Sequence, residues 1–312
     1  MSRDKIAFVF PGQGSQKVGM GQDWAEVSEV ARAAFEEADE VLGIPLTRLC
    51  WEGPEEELTL TANTQPALLA TSVAVLRAVQ EAGKSADLVA GHSLGEYTAL
   101  VAAGVLSFAD ALRLVRLRGQ LMQEAVPVGV GAMAAILGLD TPAVADVARD
   151  AADGEVCELA NLNSEGQTVI AGHQGAVERA VDLARARGAR KAVLLTVSAP
   201  FHSSLMAPAR EGLTPRLMST EFRDPSVPVV TNVDARPASS GEAARDAVIR
   251  QVDSTVRWTD CISWMAEEGG VGSFVEVGPG KVLTGLNRRI AREARCFSIA
   301  EPSSLESWLA EA

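Results

Sequence analysis

Gly91-His92-Ser93-Leu94-Gly95 is the stretch that decides how this chain is read. An apolar run, Leu88-Val89-Ala90, precedes it, and a helix-like run from Glu96 to Ala103 follows. Strand, tight Gly-x-Ser-x-Gly turn and helix make a nucleophile elbow, which pushes a serine hydroxyl into the open at the end of a sheet. The flanking glycines leave room where a Cβ would clash. The helix start behind the serine offers backbone N–H groups and the positive end of a dipole to a developing oxyanion. Five residues thus point to acyl transfer through a serine ester. The competing reading is a chance Gly-Ser-Gly turn, and the flanking strand and helix weigh against it.

Outward from the elbow, Ile6-Ala7-Phe8-Val9-Phe10 is a continuous apolar run bounded by Pro11-Gly12, as in a buried parallel strand. Val229 to Asn232 and Phe274 to Val277 read as further strands; Trp24 to Leu42 and Gln65 to Ala82 read as helices. Glu55-Glu56-Glu57 reads as an acidic first helical turn. Strands alternating with helices predict a mainly parallel sheet covered on both faces, an α/β class. The middle of the chain has another rhythm. Ala132 to Leu139 reads as a strand, and a helix to about Ala152 follows, with Thr141 as cap and Pro142 in its first turn. Val156 to Leu162 and Thr168 to Ala171 read as a strand pair across a turn holding Gly166. Gly175 to Arg187 is a helix and Lys191 to Val197 a last strand. That order, β-α-β-β-α-β, is the ferredoxin-like pattern. An inserted ferredoxin-like subdomain is therefore expected at 130–197, inside a large subdomain made of 1–129 and 198–312.

Composition narrows the function classes. The net charge of −13 argues against nucleic acid and anionic membranes as partners, and any acidic substrate would need a local cationic site. No run approaches the length of a membrane span, and Met1 to Lys5 leads straight into a strand rather than a signal peptide. Cys50, Cys157, Cys261 and Cys296 show no metal-ligand spacing and read as reduced packing residues of a cytoplasmic protein. No metal is expected, and the length suits a discrete enzyme.

Ser93 needs a base, and only three histidines are available. His92 is adjacent in sequence, so its ring should project elsewhere, in a packing role. His173 lies in Gly172-His173-Gln174-Gly175, an expected exposed turn. His202 follows Ser198-Ala199-Pro200-Phe201, where the insert rejoins the large subdomain. Clefts between subdomains are common ligand sites, so His202 is the favoured base, with a surface histidine as the alternative. No Asp or Glu between Ser93 and His202 stands out as a third triad member; a backbone carbonyl or an amide is left to orient the ring.

Arg118 carries a second inference. Ala109 to Ala125 reads as a helix whose apolar stripe is Ala111, Leu114, Val115, Leu121, Met122 and Ala125, with Arg118 at its centre. Arg113, Arg116, Gln120 and Gln123 fall on the opposite, solvated face. An inward guanidinium is costly unless it meets an anion. Either a distant Asp or Glu pairs with it, or a ligand carboxylate does. Pro11-Gly12-Gln13-Gly14-Ser15-Gln16 leaves the first strand at the same expected sheet edge as Ser93. It lacks phosphate-loop spacing, and its best use is a second oxyanion N–H, from Gln13, beside that of Leu94. A tight turn without a ligand is the alternative. Glu276 to Lys281 reads as a structural turn, with Lys281, Arg288 and Arg289 as cations near an anionic substrate.

Together these residues resemble the malonyl-CoA:acyl-carrier-protein transacylases of fatty-acid synthesis and, more broadly, the acyltransferase domains of polyketide synthases. The matching motifs run in order through Phe8 to Gln16, Thr64-Gln65-Pro66-Ala67, Gly91 to Glu96, Arg118, Asn161-Leu162-Asn163, Pro200 to Ser203, Gln251 and Glu276 to Gly280. The resemblance implies an α/β-hydrolase-like large subdomain. It implies Ser93 as acyl nucleophile, His202 as base, and the main-chain carbonyl of Gln251 as the group orienting His202. Gln13 and Leu94 would form the oxyanion hole, and Arg118 would hold the free malonyl carboxylate. Phe201, Asn163 and Gln65 would line the substrate pocket, with Phe201 crowding an α-methyl branch. Arg190 and Lys191 match positions that are basic in relatives and would help dock the acyl carrier protein. The substrate would be malonyl-CoA, with no cofactor of the enzyme's own, since phosphopantetheine is carried by the partner. A polyketide acyltransferase and a serine (thio)esterase are the alternatives.

Overall fold

In the computed structural model, residues 5–127, 129–197 and 199–311 are described. Met1–Asp4, Val128, Ser198 and Ala312, and with them the expected subdomain boundary at 198, lie outside the described residues. The strands are β1 (Lys5–Phe10), β2 (Leu88–Gly91), β3 (Gly131–Leu137), β4 (Cys157–Ser164), β5 (Gln167–His173), β6 (Lys191–Leu194), β7 (Val229–Val230), β8 (Val271–Val277) and β9 (Arg295–Ile299). They form two sheets, β7-β2-β1-β8-β9 and β4-β5-β3-β6. All described ladder pairings of the first are parallel, and those of the second antiparallel.

β1 runs through the middle of the parallel sheet, and its alternation builds two cores. Phe8 and Phe10 face one side, in the cluster that holds Phe35, Leu68 and Tyr97. Ala7 and Val9 face the other, with Trp258, Ile262 and Met265. A strand covered on both faces has no position for a polar side chain, which is why the run reads as uninterrupted apolar sequence. In the antiparallel sheet one face is covered by the helices Thr141–Ala152 and Gln174–Ala186, around Ala134, Ile136, Val144 and Val177. The order along the chain is β-α-β-β-α-β and the sheet order places β3 and β5 inside, the ferredoxin-like arrangement.

The second sheet is joined to the first body by its β4 edge. Val256 N donates to Ala160 O at 2.8 Å and Leu162 N donates to Val256 O at 2.9 Å. Thr255 and Thr259 hydroxyls donate to the carbonyls of Leu159 and Leu162. This seam fixes the 251–259 segment, and with it Gln251, against the insert.

Several local expectations are corrected. The helix expected over Trp24 to Leu42 is two, Gln22–Val27 and Glu29–Leu42, because Ser28 caps the second through Ala31 N. The helix expected from Gln65 starts at Thr61 and carries Pro66 inside it. The cap of Thr141–Ala152 is Asp140, whose carboxylate accepts Ala143 N, not Thr141. β6 ends at Leu194 rather than Val197, and β7 ends at Val230 because Thr231 and Asn232 already turn. Arg116 is half-buried, donating to Ala62 O and Asn63 Oδ1, rather than solvated. Leu121 and Ala125 are half-buried rather than core. His173 is half-buried, its Nδ1 accepting Val156 N.

Candidate active site

β1 and β2 end side by side, with Phe10 paired to Gly91, so the Pro11-Gly12-Gln13 loop and Ser93 leave the same sheet edge. The turn is packed backbone against backbone. A Cβ on Gly95 would lie 2.1 Å from Phe10 O, one on Gly91 1.9 Å from the Gly95 carbonyl carbon, and one on Gly12 2.4 Å from His92 O. Only glycine fits such approaches. Ser93 takes φ 52° and ψ −104°, and His202 takes φ 59°. Both residues thus hold backbone strain of about 1–3 kcal/mol each.

Ser93 Oγ lies 2.7 Å from His202 Nε2. His202 Nδ1 lies 2.9 Å from the Gln251 main-chain carbonyl. A carbonyl only accepts, so Nδ1 carries the proton and Nε2 is free to take one from Ser93. Burial, and next the nearby Arg118 charge, push His202 down to about 3. The ring is therefore neutral, in the form a base requires. The third member of the triad is a peptide carbonyl in place of a carboxylate.

Arg118 projects from the helix Phe108–Glu124 into the interior at 2% exposure. Its Nη1 donates to Gln65 Oε1 at 2.8 Å, and its Nη2 to Ser93 Oγ at 3.1 Å and Gln251 Oε1 at 3.0 Å. Its guanidinium lies over the Tyr97 ring at 5.7 Å. Each hydrogen-bond partner is neutral, Nε has none, and among the described residues no carboxylate forms an ion pair with it. Of the two readings left open for Arg118, direct pairing with an internal acid is absent from this structure. A buried cation without a touching anion, beside a serine hydroxyl, has the chemistry to take an anionic ligand.

The other expected residues are placed as follows. Leu94 opens the helix Leu94–Ala102, so its N–H belongs to the free first turn. Gln13 is exposed on the β1 loop, its amide donating to Thr61 Oγ1. Phe201 is buried directly before His202. Asn163 Oδ1 lies 2.9 Å from His92 Nε2, and the His92 ring leans on Trp258 at 5.5 Å. Arg190 and Lys191 are exposed, Lys191 pairing with Leu137 at the end of β3 away from Gly131, whose side packs on Pro200. They are not brought to Ser93. Arg289 donates to Gln167 Oε1 and Arg288 to Cys296 O, and Glu276 caps the following helix through Leu283 N and Thr284 N. A cavity of about 600 Å³ borders His202, Leu159 and Asp253; neither Ser93 nor Arg118 lines it.

Two residues of the site escaped the sequence reading. Asn232 Oδ1 accepts Ser93 N at 2.7 Å while its Nδ2 donates to Gly91 O at 2.8 Å, clamping the elbow from the turn after β7. Glu96, fully buried, accepts Asn232 N at 2.8 Å and Gln251 Nε2 at 2.9 Å. Burial pushes its carboxyl up to about 7. Their signals were a polar residue just past a strand's carboxyl end, where α/β sheets gather ligands, and a lone acid inside an apolar helix.

Residues 7–301 match the acyl transferase domain family. The chain is 51% identical over 306 residues to the malonyl CoA-acyl carrier protein transacylase of Escherichia coli K12, covering 98% of this chain and 99% of that one. It is 49% identical over 303 residues to that of Bacillus subtilis 168, covering 97% and 95%. Among solved structures, it superposes with TM-score 0.95 on an acyl carrier protein S-malonyltransferase from Vibrio cholerae, at 50% identity over 97% of this chain and 99% of that one. It superposes with TM-score 0.96 on a malonyl-transacylase in complex with the acyl-carrier protein of a type II polyketide synthase, at 49% identity over 99% and 100%. Fold, motif order and relatives agree: the chain belongs to the acyl transferase family.

Proposed function

We propose that this protein transfers malonyl from malonyl-CoA to the phosphopantetheine thiol of acyl carrier protein, through a malonyl ester on Ser93. The relatives named above support the activity. The observation that carries the acyl specificity is Arg118, buried, touching Ser93 Oγ and without an ion-pair partner among the described residues.

In the first half-reaction Ser93 Oγ attacks the thioester carbonyl as His202 Nε2 takes its proton. The carbonyl oxygen becomes an oxyanion, held by the N–H groups of Gln13 and Leu94, each such donor worth about 100- to 1000-fold in rate. The C–S bond breaks and CoA leaves as a thiol with the proton from His202. In the second half the carrier thiol gives its proton to His202 and attacks the ester; the C–O bond breaks, and Ser93 regains its hydrogen. Arg118 receives the free carboxylate throughout, exchanging its hydrogen bond to Oγ for a charged one. Gln65 braces the guanidinium, Phe201 crowds a branch at the α-carbon, and Arg190 and Lys191 lie on the surface offered to the acidic carrier. Fatty-acid synthesis is the favoured setting; the polyketide carrier bound by one relative makes polyketide synthesis the second.

The test is Arg118→Ala. Loss of charge-assisted hydrogen bonds worth about 1.5–3 kcal/mol is expected to cost malonyl transfer about 10- to 100-fold more than acetyl transfer. Equal losses for the two acyl groups would overturn the assignment.

A further inference from the structure

Arg118 and Glu96 are the two buried charges of the site, at 2% and 0% exposure, and they do not touch. Gln251 stands between them. Its Oε1 accepts Arg118 Nη2 at 3.0 Å and its Nε2 donates to Glu96 Oε2 at 2.9 Å. The amide is polarised the right way round; flipped, it would set donor against guanidinium and acceptor against carboxylate. Asn232 fixes the far side, its N–H on the same Glu96 oxygen and its Oδ1 on both Ser93 N and Gln251 Nε2. The charges feel each other: Arg118 opposes the burial-driven rise of Glu96, and Glu96 opposes the burial-driven fall of Arg118. Had the acid touched the guanidinium, the pair would be closed and the fork engaged. One amide apart, Glu96 offsets part of the cost of a buried cation without occupying it.

We propose that Glu96 is a positioning residue that sets acyl specificity through Gln251, keeping the counter-charge of Arg118 one amide away so that the guanidinium stays open to the substrate's carboxylate. The inference rests on the reading of Arg118 as the carboxylate receptor.

The experiment compares kcat/KM for malonyl-CoA and acetyl-CoA, with pantetheine as acceptor, well above pH 7, where Glu96 is ionised. The ratio cancels any change in Ser93 reactivity shared by both acyl groups. The double variant Glu96→Gln/Gln251→Glu keeps the net charge and the contact between the two side chains but moves the carboxylate into contact with Arg118, giving up the Gln251 Nε2 bonds to Ser93 O and Asn232 Oδ1, a loss that both acyl groups share. The malonyl-to-acetyl ratio is expected to fall about 10- to 100-fold, the worth of a charged hydrogen bond given up by the substrate. Glu96→Gln alone removes the counter-charge and keeps both acceptor contacts, and the ratio is expected to rise, through a lower KM for malonyl-CoA. A merely structural role does not move the two variants in opposite directions. An unchanged ratio in the double variant, or loss of both activities together, overturns the proposal; should that variant not fold, a flat or falling ratio in Glu96→Gln overturns it. Arg118→Ala in the otherwise unchanged protein separates the two readings: an unchanged ratio there sinks the Arg118 assignment itself, whereas a collapse there with a flat response to the carboxylate swap sinks the role of Glu96 alone.

Discussion

Ser93, His202 and Arg118 meet within 3.1 Å although they are far apart in the chain. The pH dependence of acylation follows from their contact. His202 is held well below its ordinary 6.5, at about 3, so the neutral base persists as pH falls. The acid limb of Ser93 malonylation, measured by quenched-flow, is expected below pH 6.5; a limb at or above 6.5 would contradict the buried geometry. The sign for stability runs the same way: below 6.5 the unfolded chain takes a proton that folded His202 refuses, so this residue's contribution is lost as pH falls from 6.5 toward about 3. Phe201→Ser is expected to improve methylmalonyl relative to malonyl by about 10- to 200-fold, the range a single methyl can command, as read in competition assays. Unchanged selectivity would remove Phe201 from the pocket. At this scale the sequence was legible where chemistry was scarce. With three histidines and one arginine inside an apolar stripe, few choices remained. Glu96 and Asn232 were not legible because their roles come from neighbours 136 and 139 residues away, respectively, which only the sheet order brings together.

The elbow works as an element because three glycines let two strand ends and a helix start share one small volume. Gly95→Ala would drive a Cβ to 2.1 Å from Phe10 O, a backbone atom that cannot swing aside. A loss of about 1–3 kcal/mol or more is expected, seen as a lowered thermal midpoint, together with slower acylation. A neutral result would mean the turn relaxes freely and the strain at Ser93 is incidental. Strands β1 and β2 were readable because burial on both faces writes a continuous apolar run, whereas β8 was read from Phe274 to Val277 although Glu276 lies within it. Element ends were less readable. Ser28 divides one helix pattern into two, and Asp140 caps where Thr141 was expected, since either oxygen satisfies the same free N–H groups.

As a whole, the molecule sets a parallel sheet beside a ferredoxin-like one, with the seam at Val256 holding the Gln251 carbonyl over His202. The order of strands and helices predicted both architectures; the seam was not visible, because it is a backbone bridge between Asn161 and Val256 outside either sheet's ladder. Among the described residues no helix is long and apolar enough to cross a membrane. With a net charge of −13, docking of an acidic carrier must rest on local cations. Charge reversal at Arg190 and Lys191 is expected to raise the KM for carrier protein several-fold and flatten its salt dependence, while leaving hydrolysis and pantetheine transfer alone. Unaltered carrier kinetics would move the docking surface elsewhere. The most direct measurement is a quench of the protein with malonyl-CoA, peptide mass mapping of the adduct, and a chase with carrier protein. A malonyl ester on Ser93 that passes to the carrier thiol faster than free malonate appears is the expected result. No adduct, an adduct on another residue, or malonate released ahead of the thioester would contradict Ser93 as the holder of malonyl between two thiols.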